Sequence, residues 1–176
     1  MPLYEYTPKK SNKKVLGIII ILVSLALGLF AFTLIFSNMP FKWIFQLISI
    51  ASFVAVIFII TRYVAKSFCY AIIKTDNDTL DFTVDEIANA GRSKATVCRI
   101  AITSIEEAYL LDKSIDNNSQ KITEIEKTAK ADGRKFFNYS PDINPTVICI
   151  LLVEECGEKF LIKLSPDHTL WTYLKK

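Results

Sequence analysis

Two long stretches of the chain are apolar without interruption by charge, and they set the frame for everything else. Val15 to Phe36 reads VLGIIIILVSLALGLFAFTLIF, 22 residues with no ionisable side chain. Trp43 to Thr61 is a second such run of 19 residues, flanked by Lys42 and Arg62. At about 1.5 Å rise per residue the first covers about 30 Å of hydrocarbon, and the second is of spanning length too. The break between them is Ser37-Asn38-Met39-Pro40. The pattern predicts a transmembrane helical hairpin over 15–65, with helices at about 15–36 and 43–64. A cleaved signal peptide does not fit, because the first run is too long and a second span follows it.

After residue 66 the period shortens to that of strands. Phe68 to Lys74 is rich in aromatic and β-branched residues, Thr75-Asp76-Asn77-Asp78 is turn chemistry, and Leu80 to Val84 alternates. A break at Ala90-Gly91-Arg92-Ser93 precedes strands over Ala95–Ile102 and Ile105–Leu111. Residues 113–134 turn polar, with Ile122, Ile125 and Ala129 at helical spacing and Gly133 as a stop, which predicts a short amphipathic helix inserted between strands. Strands resume at Lys135–Tyr139 and at Thr146–Val153, whose unbroken hydrophobicity marks the central strand. A turn over Glu154–Glu158 leads into a last strand, Lys159–Leu164. Ser165 is expected to cap a terminal helix with Pro166 at its first position, and Leu170, Trp171 and Leu174 share one face of that helix.

Charge orients this arrangement. Residues 1–65 carry six Lys/Arg against the single Glu5, whereas 66–176 carry fifteen against seventeen acids. Lys9, Lys10, Lys13 and Lys14 precede the first span and Arg62 and Lys66 follow the second, so both termini are expected in the cytoplasm, with 1–14 a basic N-terminus and 66–176 a cytoplasmic domain. Phe41, Trp43 and Tyr63 sit where interfacial aromatics are expected. The mildly acidic domain excludes nucleic acid as a partner, which needs a basic face.

Candidate chemistry is sparse. Cys69, Cys98, Cys149 and Cys156 lack CxxC spacing and His168 is the single histidine, so no zinc motif forms and no cofactor is expected. Cys98 and Cys149 lie in apolar strands and are expected as buried thiols of a reducing compartment. The pairs Glu106-Glu107 and Glu154-Glu155 point to opposite faces if they lie on strands, His168 falls in the first helical turn, and the glycines form no phosphate loop; an enzyme is not expected. No ionisable residue lies inside either span, which argues against transport by this chain alone. Ser24 with Gly28, and Ala51 with Ala55, are small-residue pairs that would pack the two helices together or pair them with another copy. Lys127, Lys130, Arg134 and Lys135 form the basic cluster of the domain, a solvated face or else a contact to lipid heads or an acidic partner.

The stretch Arg99-Ile100-Ala101-Ile102-Thr103-Ser104-Ile105-Glu106-Glu107-Ala108 resembles the R-I-P-L-x-x-I-x-x-I strand pair of bacterial pleckstrin-homology-like domains. Glu158 to Asp167 followed by a helix resembles their last strand and capping helix. The whole chain is similar to small bacterial membrane proteins that join a two-helix hairpin to such a domain. The resemblance implies an α+β membrane protein: the hairpin, then a seven-stranded PH-like barrel or sandwich with a C-terminal capping helix. It implies a binding or scaffold module at the inner membrane, whose partners are membrane lipids and a membrane or cytoplasmic protein, with a homo-oligomer as a further option. Inositol-lipid members use Lys and Arg in the first hairpin, where this chain has Asp76, Asp78 and Asp81; these would repel a phosphorylated head group. Peptides are expected along a strand edge or beside the terminal helix. The alternative is an accessory subunit of a channel or transporter, with the hairpin as the working part. The native chain is expected to be able to continue beyond Lys176.

Overall fold

The computed structural model describes residues 2–10, 12–36, 41–88, 91 and 93–175, so the Ser37–Pro40 break, Ala90, Arg92 and Lys176 lie outside the described residues. The chain divides into a helical unit, residues 11–66, and a β-rich unit made of residues 1–10 together with 67–176.

The helical unit contains α1 (Asn12–Ile35) and α2 (Lys42–Ile59), which ends in a π-helical turn at Ile60–Val64. Both are long and apolar enough to cross a membrane. Large apolar side chains cover their outer surface, and three hydroxyl residues join Val15, Ala26 and Val56 among the buried ones. Ile21, Ile35, Ile57 and Phe58 are exposed, whereas Thr33, Ser49 and Ser52 are buried. Each buried hydroxyl finds a backbone carbonyl: Thr33 donates to Phe30, Ser52 to Ile48, and Ser49 crosses to Ala26 of the other helix at 2.9 Å. That satisfaction matters in any apolar surrounding, where a buried hydroxyl without a partner is costly. Phe32 packs edge-on against Phe45, 5.7 Å between ring centroids, and joins the same two helices.

The β-rich unit is built from two four-stranded sheets and two further helices. The first sheet is an antiparallel meander of β1 (Pro2–Tyr6), β2 (Ser67–Lys74), β3 (Leu80–Ala88) and β4 (Ser93–Ala101), in that order. The second contains β5 (Ile105–Asp112), β6 (Lys135–Asn138), β7 (Val147–Glu155) and β8 (Glu158–Leu164), in the order β5-β7-β8-β6, with β6 parallel to β8. Between them the alternate residues Tyr70, Ile72, Phe82, Val84, Leu151, Val153, Ile162 and Leu164 form one core. Helix α4 (His168–Leu174) adds Leu170 and Leu174 to that core. Helix α3 (Asn118–Ala131) covers the other face of the second sheet, where Ile122 and Ala129 meet Ile148, Ile150 and Leu161. Strand β7 is therefore buried on both faces, which is why its sequence is continuously hydrophobic rather than alternating. The turn from β7 to β8 places Cys156 at φ 53° and Gly157 at φ 79°. Two consecutive left-handed residues make the tight hairpin turn that matches strand twist, and glycine takes the second at no steric cost.

The seven strands read from the sequence are present, and β1 is an eighth that the pattern did not announce. Residues 2–6 were expected in a basic N-terminal segment; the structure pairs them with β2, Tyr6 opposite Tyr70 and Pro2 opposite Ile73. No local turn signal marks this pairing, because the whole helical unit separates the partners. The terminal helix also begins two residues later than expected. Asp167, not Ser165, is its cap, accepting from the Leu170 N–H at 2.9 Å, so Pro166 precedes the helix instead of opening it.

Candidate functional site

Helix α3 lies on the second sheet with a hollow on either side of it. It stops where Gly133, at φ 74°, turns the chain and lets Arg134 N–H bond the Ala129 carbonyl, a closure that glycine permits after a helix. Arg134 then folds back under the helix, with only 9% of its side chain exposed. Its guanidinium meets Glu106 at 2.8 Å and Asp132 at 3.0 Å, and donates to the Val153 carbonyl at 3.3 Å. The hydrogen bond from Arg134 holds the Glu106 carboxyl below the usual carboxylate range.

On the β5 side of α3 is a cleft of about 790 Å³ whose rim is acidic: Glu106, Glu107, Glu124 and Asp132, above Ile125 and Leu152. Glu106 and Glu107 were expected on opposite faces of a strand. They line the same cleft, because the pairing of β5 with β7 slips by one residue between Ile105 and Glu107. Such a bulge re-aims a side chain and carries no sequence signature here. Tyr109 donates its phenol proton to Glu107, and that bond raises the phenol above its ordinary pKa.

On the β6 side is a groove of about 480 Å³ lined by Thr123, Glu126, Lys127, Lys130, Arg134 and Phe136. Phe136 is 48% exposed, and the Lys163 ammonium sits 5.2 Å from the centre of its ring. Lys163 is also ion-paired with Glu126. The four basic residues singled out from the sequence thus separate into two kinds. Arg134 is a buried structural cation and Lys135 is paired with Glu158 at 2.8 Å. Lys127 and Lys130 are exposed on α3 and border the groove.

The small-residue pairs do not bring α1 and α2 together. Ser24, Gly28 and Ala51 are exposed and Ala55 is half-buried, and a methyl group added at Gly28 would touch nothing within 4 Å. Close approach happens instead where the Ser49 hydroxyl bonds the Ala26 backbone, because a hydroxyl in this setting seeks a carbonyl across the pair.

The region beside the terminal helix, where peptides are expected, is where β1 meets α4. Tyr4 of β1 stacks on Tyr173 of α4, 6.1 Å between rings, and donates to the Asp167 carboxylate, a bond that raises the Tyr4 phenol pKa. Glu5 accepts from the Cys69 thiol at 3.0 Å and from Lys94 at 3.1 Å, and the two bonds hold its carboxyl below the ordinary value. The sequence offered no signal for this seam beyond the alternation of Tyr4 and Tyr6.

All four cysteines are free; Cys149 is buried, Cys98 half-buried and Cys156 exposed. Burial pushes the Cys98 thiol up to about 11 and moves Cys149 in the same direction. His168 is exposed at the start of α4. Among the described residues no group of three His, Cys, Asp or Glu side chains is placed to hold a metal ion. No protein-family model matches the chain, and no curated protein or solved structure matches it either.

Proposed function

We propose that the chain is a membrane-anchored, PH-like binding module held at the cytoplasmic face of a membrane. The observation that carries this reading is the pairing of β1 with β2. The two strands that flank the helical pair in sequence are neighbours in one sheet, so both ends of an inserted hairpin must emerge on the same side of the bilayer. The basic flanks Lys9, Lys10, Lys13, Lys14, Arg62 and Lys66 favour the cytoplasmic side. A four-stranded meander, a second sheet and a terminal helix packed into the core support the PH-like description, with the hairpin spliced between the first two strands. Anchoring raises the module's effective concentration toward other membrane proteins without any added contact. The two hollows beside α3 offer charge and apolar surface, which supports binding as the role.

The test is crosslinking in native membranes, followed by gentle-detergent purification and mass spectrometry. A stoichiometric protein joined through lysines of residues 67–175 is the expected result. Recovery of the chain alone, or of crosslinks confined to the helical unit, would overturn the module reading in favour of a hairpin that works by itself.

A further inference from the structure

We propose that the groove between α3 and β6 docks an extended acidic segment of the partner protein, with Lys127 and Lys130 holding its carboxylates and Phe136 receiving an apolar side chain. This rests on the binding-module reading and names the surface that does the binding.

Three observations converge on it. The first is unbalanced charge. Every other cation bordering the groove is engaged: Arg134 by Glu106 and Asp132, and Lys163 by Glu126. Lys127 and Lys130 stand one helical turn apart and form no ion pair among the described residues. The second is the floor, a phenyl ring left 48% exposed within a hollow of about 480 Å³. The third is β6 itself, among the described residues the last strand of its sheet, where Lys135, Phe136 and Phe137 are exposed and β8 pairs on one side. Such an edge accepts an extended chain through backbone hydrogen bonds, while side-chain pockets choose which chain.

The same geometry favours a narrow peptide over a lipid surface. Across α3, a helix about 10 Å wide, lies the rim of Glu106, Glu107, Glu124 and Asp132. An anionic bilayer broad enough to meet both lysines would bring its phosphates within about one Debye length of those carboxylates, and the repulsion would offset the attraction. A single acidic strand lies in the groove alone.

The experiment uses the full chain in phosphatidylcholine nanodiscs and a short fluorescein-labelled peptide of alternating glutamate and leucine, read by fluorescence anisotropy. Saturable binding is expected, weakened at least about tenfold in K127E/K130E, with the lysine-for-glutamate peptide failing to bind. Both substitutions lie on an exposed helix face, and an unchanged circular dichroism spectrum confirms the fold. Absence of saturable binding, equal affinity of wild type and variant, or displacement of the peptide by phosphatidylserine vesicles would overturn the assignment. Partner crosslinks that survive in K127E/K130E would remove the groove while leaving the module reading intact; crosslinks missing from the wild type would remove the module reading itself.

Discussion

Tyr4 and Asp167, 163 positions apart, share one hydrogen bond, and the carboxylate that accepts it also caps the last helix through the Leu170 N–H. One side chain therefore fastens the first strand and starts α4. Replacing Asp167 by alanine removes both functions, and a lost cap with a lost side-chain bond together cost about 2 kcal/mol. Asp167→Asn, which still offers a carbonyl oxygen, should recover most of that. Urea unfolding of the chain in detergent micelles measures the difference; equal midpoints for wild type and D167A would contradict the dual role.

The edge strand should also respond to acid. Glu5 is held below its ordinary pKa by the Cys69 thiol and by Lys94, so its ionised form is stabilised by folding. A carboxylate with a depressed folded pKa contributes stability above its unfolded value, about 4.3, and loses it as pH falls through the folded value. Amide protection factors in β1 should be flat through neutrality and drop below about pH 4. In Glu5→Gln that acid limb should vanish. An identical profile in the variant would assign the drop to other groups.

What could be read from the sequence follows from what is local. The helical pair, the turn at Cys156-Gly157 and the doubly buried β7 each leave a mark within a few residues: an uncharged run, a glycine at φ 79°, an apolar strand without alternation. Strand β1 leaves none, since its partner lies beyond the whole helical unit. The candidate site was half legible for the same reason. Lys127 and Lys130 are exposed because of their helix face, a local property, whereas Arg134 is buried by Glu106, Asp132 and the Val153 carbonyl, two of which lie on distant strands. Spacing puts the four basic residues in one cluster; tertiary contacts divide them.

That division predicts unequal consequences. Arg134→Met strips the pinning contact from the end of α3 and leaves the Val153 carbonyl without this donor, at a cost of about 2 kcal/mol. Hydrogen exchange should rise across residues 118–131 more than in β7. Lys127→Glu, on the exposed face, should change stability by less than about 0.5 kcal/mol. Comparable destabilisation by the two would sink the distinction between a structural arginine and a surface lysine.

Within the helical unit, Ala26 and Gly28 exchange the roles their sizes suggest. Ala26 is fully buried and its carbonyl receives the Ser49 hydroxyl, while Gly28 faces open space. Ala26→Leu should force the helices apart at about 1–3 kcal/mol, the usual range for overpacking. Gly28→Leu should leave the pair intact. A cysteine crosslink engineered between the two helices reads this directly, and loss of crosslinking in G28L with retention in A26L would reverse the packing described.

The thiols give a test of both burial and sidedness. Cys156 is exposed at the β7–β8 turn, whereas Cys149 is buried and Cys98 is half-buried with its thiol pushed up to about 11. Only the thiolate attacks a maleimide, and a thiol raised that far is almost wholly protonated at neutral pH. In detergent at neutral pH a maleimide should therefore label Cys156 first, with Cys98 and Cys149 following only on denaturation. The proposed cytoplasmic placement adds a second requirement in intact cells: a membrane-impermeant maleimide should spare Cys156 until the membrane is opened. Immediate labelling from outside would put the sandwich on the opposite face, and with it every residue from 67 onward, because the strand pairing leaves β1 and β2 no way to lie on different sides.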